Sequence, residues 1–328
     1  MEIPGMTTKH PYTEKDYDAG YAVDWCPGCG DYGVQRALAG ALAVLGLPPH
    51  RVALFGGIGC SGKIPYNLNV YGIHTLHGRV LPFAFGAKLA NPELTVIAAG
   101  GDGDGLGIGA GHFVNSGRRN LDLTYILFNN SVYGLTKGQP SPTLGLGRQT
   151  RGMQRKNLQQ SINPLILAAA SGYTWIGRGY AYDKNQLQDL MVQAIQHPGL
   201  SYLDILQPCP KYNDLQTKDW YAGKDLSPPR SRLYSLQEEG YDPLISEDAG
   251  EDQVKAGITA CMEEAFKWGD LIPTGVFLKN LAQPRYLDLI AGQIPAYSST
   301  PLASRLIADA EGRSLADLSR IFSKLNAG

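Results

Sequence analysis

Two short polar motifs close consecutive apolar runs in this chain. Gly101-Asp102-Gly103 follows one, and Asn129-Asn130 ends the next. An Asp and an Asn at neighbouring strand ends can converge on one divalent cation. Mg²⁺ takes hard oxygen ligands at roughly 2.0–2.1 Å, one or two from side chains and the rest from phosphate and water. The glycines after Asp102 allow backbone N–H groups and a helix start to face a diphosphate. The competing reading is a dinucleotide turn, because Gly105-Leu-Gly107-Ile-Gly109-Ala110 fits the G-x-G-x-x-G/A pattern. That reading wants an acid where the second strand ends. Asn129-Asn130 stands there instead, and Asp122 lies at the strand's beginning. A metal–diphosphate site fits better.

Five cysteines supply the second constellation: Cys26, Cys29, Cys60, Cys209 and Cys261. Cys26-Pro-Gly-Cys29 is a loop before a helix, while Cys60 and Cys209 each follow a strand. Loops at equivalent sheet ends can bring these four thiolates together, as ligands for zinc or for an iron–sulfur cluster. Their spacing does not choose between the two. Thioredoxin-like chemistry is the weaker option, since no strand precedes the C-x-x-C. An odd cysteine count without a signal peptide argues against a disulfide framework. Cys261 reads as a core residue of an amphipathic helix.

Other candidates are isolated. His74 and His77 sit three apart, as structural residues or as a metal pair, and His112 reads as packing beneath the site. Lys63 follows the Cys60 loop, either as a solvated lysine or as the group that recognises a substrate carboxylate from within the same pocket. Lys137 stands at the pocket's opening.

The elements that must position these residues alternate. Helices are expected over 31–45 with Asp31 as cap, and over 80–90, 105–116, 164–171 and 184–196. Strands are expected over 51–57, 94–99, 121–128, 174–177 and 202–206. That alternation makes an α/β fold, a parallel sheet flanked by helices on both faces. Residues 137–160 form a polar, Gly/Pro-rich connection long enough to be functional. The chain divides into an irregular arm (1–23), a cofactor domain (24–215) and a C-terminal extension (216–328), with helices at 253–268 and within 303–325. The extension reads as packing.

Composition bounds the class. The chain has 328 residues, 43% hydrophobic and 18% charged, with a formal net charge of -1. There is no electrostatic case for nucleic acid or an anionic membrane. No apolar run reaches spanning length, and the polar start is unlike a signal peptide. The expected location is the cytoplasm.

Gly101-Asp-Gly-Asp-Gly, His112-Phe, Arg118-Arg-Asn-Leu-Asp and Asn129-Asn-Ser-Val-Tyr-Gly-Leu-Thr-Lys-Gly-Gln together resemble the beta subunits of 2-oxoacid:ferredoxin oxidoreductases, the 2-oxoglutarate type in particular. The resemblance runs from about residue 24 to 211. It implies the thiamine-diphosphate-binding fold, with Mg²⁺ held by Asp102, Asn130 and the Val132 carbonyl. It puts Gly103, Asp104, Gly134 and Leu135 along the diphosphate. Ile58, Gly59, Cys60 and Ser61 would touch the aminopyrimidine side, and His77 would line the active site. It implies one [4Fe-4S] cluster on Cys26, Cys29, Cys60 and Cys209, next to the thiamine. The implied reaction is CoA-dependent oxidative decarboxylation of 2-oxoglutarate or another 2-oxoacid, with electrons passed to ferredoxin; the same parts can run in reverse. The Glu that activates thiamine belongs to a second, pyrimidine-binding domain. No second α/β repeat follows residue 211, so an alpha subunit is expected to supply it. A non-redox thiamine decarboxylase or synthase, and a zinc-stabilised module without catalysis, are the rivals.

Overall fold

The computed structural model describes residues 11–317 and 319–325; the first ten residues of the expected arm lie outside that range. The first half contains α1 (Asp31–Val44), β1 (Val52–Gly56), β2 (Tyr71–His74), α2 (Val80–Ala90), β3 (Thr95–Gly101), α3 (Ala110–Gly117) and β4 (Leu123–Asn129). A two-stranded hairpin, β5 (Val132–Tyr133) with β6 (Gln139–Pro140), leads to α4 (Pro164–Ser171), β7 (Trp175–Tyr180), α5 (Lys184–Gln196) and β8 (Leu200–Leu206). The rest comprises α6 (Lys218–Tyr221), β9 (Leu233–Ser235), β10 (Leu244–Ile245), α7 (Glu251–Ala265), β11 (Ile272–Asn280), α8 (Tyr286–Gln293), α9 (Ala296–Ser299) and α10 (Ser319–Leu325).

The main sheet runs in the order β2-β1-β3-β4-β8-β7-β11-β10, with β9 also paired to β11. The pairs from β2 to β7 are parallel. Their continuous apolar sequences suit strands covered on both faces: all seven residues of β4 and of β8 are buried. One face packs an aromatic core in which Phe113 stacks on Tyr173 and meets Tyr202 edge-on. The other packs Leu38 and Leu42 of α1 and Leu187 and Met191 of α5 over Trp175. Each such buried aliphatic side chain contributes about 1.5–3 kcal/mol.

Three features depart from the sequence reading. The expected helix over 105–116 begins as a wide turn, Gly103–Ile108, in which the Gly109 N–H donates to the Asp104 carbonyl five residues back (2.9 Å). Wide turns of this kind are frequent at functional sites. Asp31 is not the cap of α1; Gly30 is, and Asp31 is buried in the first turn. The extension does more than cover the sheet. Its β11 adds to the sheet antiparallel to β7, pairing Val276 with Gly177 and Leu278 with Ile176. Within 303–325 the described residues show the short turn Leu302–Ser304 and α10.

Candidate functional site

Parallel strands end on one side of a sheet, and the crevice beyond those ends is where ligands bind. The register here aligns Gly56 with Ala99, Gly101 with Phe128, and Asn129 with Leu206. The loops carrying Cys60, Asp102, Asn130 and Cys209 therefore leave the sheet at one edge.

Asp102 is buried, and burial pushes its carboxyl up to about 6 against hydrogen bonds that pull it down. Three donors land on one oxygen, Oδ2: the Ser131 N–H at 3.1 Å and the hydroxyls of Ser141 and Thr143. The other oxygen stays outside that network. The Asn130 amide is also oriented. Its Nδ2 donates to Gln207 Oε1 (2.7 Å), and its Oδ1 accepts the Val132 N–H (3.1 Å). Between Asn130 and Val132, Ser131 takes a left-handed conformation (φ 61). A non-glycine residue there is costly and signals a constrained turn. Ser131 makes that turn while giving its N–H to Asp102.

The glycines are there for space. A Cβ on Gly103 would fall 2.3 Å from the Tyr133 ring, whose hydroxyl donates to the Gly103 carbonyl (3.1 Å). A Cβ on Gly105 would meet the buried Tyr125 hydroxyl at 1.9 Å. Asp104 lines the cleft and is buried. Its Oδ1 accepts the N–H groups of Ile58 (3.0 Å) and Gly78 (2.8 Å), tying the Cys60 loop and the His77 loop to the wide turn. His77 Nδ1 lies 2.8 Å from the same oxygen, but the angle denies it a hydrogen bond.

These groups enclose one cleft, lined by residues 58–61, His77, 101–104, Asn130 and 132–136. It gathers every residue that the sequence pointed to for metal and diphosphate. The cysteines lie beside it. A point above Gly134 is 3.5 Å from Cys60 Sγ and 3.9 Å from Cys209 Sγ. Cys29 Sγ accepts from Gln207 Nε2 (3.2 Å), the residue that orients Asn130. Cys26 is exposed, and Cys29 and Cys209 are buried. Burial, then the nearby Asp31 carboxylate, pushes the Cys60 thiol up to about 11; the same two causes push Cys29 higher still. Asp31 is itself raised to about 7 by burial. Among the described residues, no three His, Cys, Asp or Glu side chains close tightly enough to hold a single metal ion. Cys261 is a core residue under α7.

Lys63 is not among the residues lining the cleft; its ammonium pairs with Asp24 Oδ2 (2.7 Å) beside the cysteine loops. His74 bonds to the Tyr66 hydroxyl (2.5 Å), outside the cleft. Lys137 is exposed just past the lining residue Thr136.

Sequence reasoning missed Ser131, Ser141, Thr143 and Gln207. It also missed a buried chain behind them: Arg178 Nε donates to Asp204 Oδ2 (2.9 Å) and Asn129 Nδ2 to Asp204 Oδ1 (3.0 Å), with the Thr143 hydroxyl, whose one proton goes either to Asp102 or to Asn129, 2.9 Å from Asn129 Oδ1. Ser141 and Thr143 had a signal in lying in the 137–160 connection, and Ser131 in lying within the Asn129–Gln139 string.

The comparisons agree with this geometry. Residues 57–205 match the family model described as thiamine pyrophosphate enzyme, C-terminal TPP binding domain. Residues 209–293 match the family model for the C terminal of the pyruvate ferredoxin oxidoreductase beta subunit, so likeness continues well past residue 211. The chain is 48% identical over 305 residues to the 2-oxoacid:ferredoxin oxidoreductase subunit beta of Saccharolobus solfataricus, covering 92% of this chain and 96% of that one. It is 42% identical over 208 residues to the 2-oxoglutarate oxidoreductase subunit KorB of Mycobacterium tuberculosis, covering 63% and 56%. A solved 2-oxoglutarate:ferredoxin oxidoreductase from Magnetococcus marinus, with 2-oxoglutarate, coenzyme A and succinyl-CoA bound, superposes with a TM-score of 0.77 at 30% identity, over 100% of both chains. A thiamine-type cleft with a cysteine corner on its rim, and a relative matched almost end to end, establish that the chain belongs to the beta subunits of the 2-oxoacid:ferredoxin oxidoreductases.

Proposed function

We propose that this beta subunit binds thiamine diphosphate in the cleft and a [4Fe-4S] cluster on Cys26, Cys29, Cys60 and Cys209. With an alpha subunit it would catalyse CoA-dependent oxidative decarboxylation of 2-oxoglutarate or another 2-oxoacid, with ferredoxin as electron acceptor. The observation that carries this reading is the double membership of Cys60. It lines the cleft and stands in the cysteine corner, so a cluster there would adjoin the cofactor.

The donor sets fit. Asp102 offers a buried carboxylate without a countercharge, Asn130 an oriented amide, and Val132 a carbonyl on the same turn, which suits Mg²⁺. Gly103, Gly134 and Leu135 offer backbone beside it, and Asp104 holds the walls in place. Four zinc-bound thiolates at 2.3 Å would lie about 3.8 Å from one another. Among the described residues no three such side chains close around a single metal ion, which favours a larger cluster. Metal binding would also offset the cost of buried thiolates. When bound, thiamine diphosphate supplies the carbanion chemistry and the cluster takes the electrons.

The chain's own residues bind, orient and exclude. Ile58, Gly59 and Ser61 wall the cleft on the side where the alpha subunit would bring the activating Glu. His77, on that rim, is placed to donate to or accept from a substrate oxygen or to relay a proton. Lys63 is held only by a surface pair, worth roughly 0–1 kcal/mol. A distal substrate carboxylate can displace Asp24 from it, which would favour 2-oxoglutarate.

Anaerobic copurification with the alpha subunit tests the reading. It expects about four irons, one Mg²⁺ and one thiamine diphosphate per beta chain, with 2-oxoacid- and CoA-dependent ferredoxin reduction. Zinc without iron, or thiamine diphosphate without iron, would overturn it in favour of a binding module or a non-redox enzyme. Ferredoxin-driven carboxylation of succinyl-CoA tests the reverse direction.

A further inference from the structure

The connection from β6 to α4 has a charge pattern the cleft does not explain. Lys137, Arg148, Arg151, Arg155 and Lys156 lie in or beside it, and no Asp or Glu occurs between Asp122 and Asp183. All five cations are exposed. Among the described residues, none of the five makes an ion pair. The chain's net charge is -1, so this excess is local.

The loop is also ordered before any partner arrives. The buried Asn157 side chain donates to the carbonyls of Leu144 (2.7 Å) and Gln159 (2.9 Å), and Asn157 N–H donates to the Arg148 carbonyl (2.8 Å). The loop is tied to the cysteine corner at two points. The Arg151 N–H donates to Asp214 Oδ1 (2.7 Å), five residues after Cys209. Lys137 N–H donates to the carbonyl of Gly134 (3.2 Å), the residue facing the sulfurs of Cys60 and Cys209. Beside Arg155 and Lys156, Leu158 is 87% exposed.

We propose that this loop is the docking surface for an acidic, one-electron carrier protein of the ferredoxin type. The proposal rests on the reading that the neighbouring cysteines hold a cluster. Charge and placement choose the occupant. The cations are spread over an exposed loop and do not converge in a pocket, which suits a protein surface better than a small anion. The exposed leucine adds an apolar contact to a charged rim, as at protein interfaces. Complementary charge raises the rate of encounter and fixes orientation. No bond forms or breaks at this surface. Oxidation of one 2-oxoacid releases two electrons, so two oxidised carriers would each dock and leave with one.

The test uses the holoenzyme with its alpha subunit, comparing wild type with Arg155→Glu/Lys156→Glu and with the milder Arg155→Gln/Lys156→Gln. Reduction of ferredoxin and of methyl viologen is followed at low and high salt, with the KM for CoA. The reversal variant should lower kcat/KM for ferredoxin at least about tenfold at low salt. The neutral variant should fall between, and high salt should close the gap. Methyl viologen reduction and the KM for CoA should not change. Unchanged ferredoxin kinetics in both variants would overturn the proposal. A raised KM for CoA alone would also overturn it, reassigning the loop to the coenzyme's phosphates. Wild-type holoenzyme that lacks iron and fails to reduce methyl viologen would instead remove the cluster reading, and the docking surface with it.

Discussion

The metal cradle and the cysteine corner meet at Cys60, yet they are prepared for their ligands in opposite ways. At the cradle, Asp102, Asn130 and Ser131 are fixed by hydrogen bonds from within the chain. Donors fill one oxygen of Asp102, and Gln207 sets the Asn130 amide. At the corner, the thiols of Cys29, Cys60 and Cys209 are pushed toward the neutral form, mainly by burial. A buried carboxylate, Asp31, opposes their ionisation further. The proposed cradle is organised before any cofactor arrives, whereas the corner would need a metal to hold thiolates at all. Carboxylates and amides can be satisfied by protein donors, but four thiolates need cations.

Four experiments can break or sharpen this contrast. The largest effect is expected from Cys29→Ser or Cys209→Ser. Iron should be lost and ferredoxin reduction should fall by more than about a hundredfold, as expected when a ligand itself is removed. Thiamine diphosphate retention, measured by isothermal titration, should stay near wild type. If retention fell equally, the two regions would be one unit.

Next is the pH dependence of the chain without Mg²⁺. Folding raises the Asp102 pKa from 3.8 to about 6. The folded chain therefore holds the proton better than the unfolded one. The resulting stability is fully present below about 3.8 and is lost as pH rises through about 6. Relative to Asp102→Asn, the wild-type chain should lose on the order of 2 kcal/mol between pH 4 and pH 7. Denaturant midpoints across that range would show it. Parallel curves for the two proteins would mean that the carboxylate is already balanced by the fold.

Thr143→Val should be smaller. It removes a donor from Asp102 without touching the cleft's shape, so the Mg²⁺ concentration for half-maximal thiamine diphosphate binding should rise about tenfold. Thr143→Ser should restore it, and a failure of that rescue would point to packing instead of hydrogen bonding. The smallest effect is Lys63→Met. It should raise the KM for 2-oxoglutarate several-fold, within the roughly 1 kcal/mol that a partly exposed pair can supply, and leave pyruvate alone. An equal change for both substrates would remove the carboxylate role.

Much of the scaffold was legible in the sequence because its apolar runs are continuous and are broken by Gly and Pro. Strands β1, β3, β4, β7 and β8 and helices α1, α2, α4 and α5 lie where periodicity puts them, within a few residues. β11 was not legible. Ile272–Asn280 is an apolar run with Pro273 and Gly275 inside it, and only its pairing with β7 makes it a strand. The wide turn Gly103–Ile108 was likewise read as ordinary helix, since sequence spacing does not reveal which carbonyl the Gly109 N–H will choose.

The sequence by itself determined the chemistry available. Asp102 and Asn130 follow consecutive strands, and the Cys60 and Cys209 loops leave the same sheet edge, because parallel strands share one direction. Only the tertiary structure decided which donors complete those groups. Ser141 and Thr143 lie some forty residues from Asp102, and Gln207 lies further still from Asn130. Hydrogen bonds between loops depend on how the chain returns over the sheet, and local pattern carries no record of that return. The same limit held for Lys63, whose ion pair with Asp24, 39 residues away, leaves no trace in local pattern.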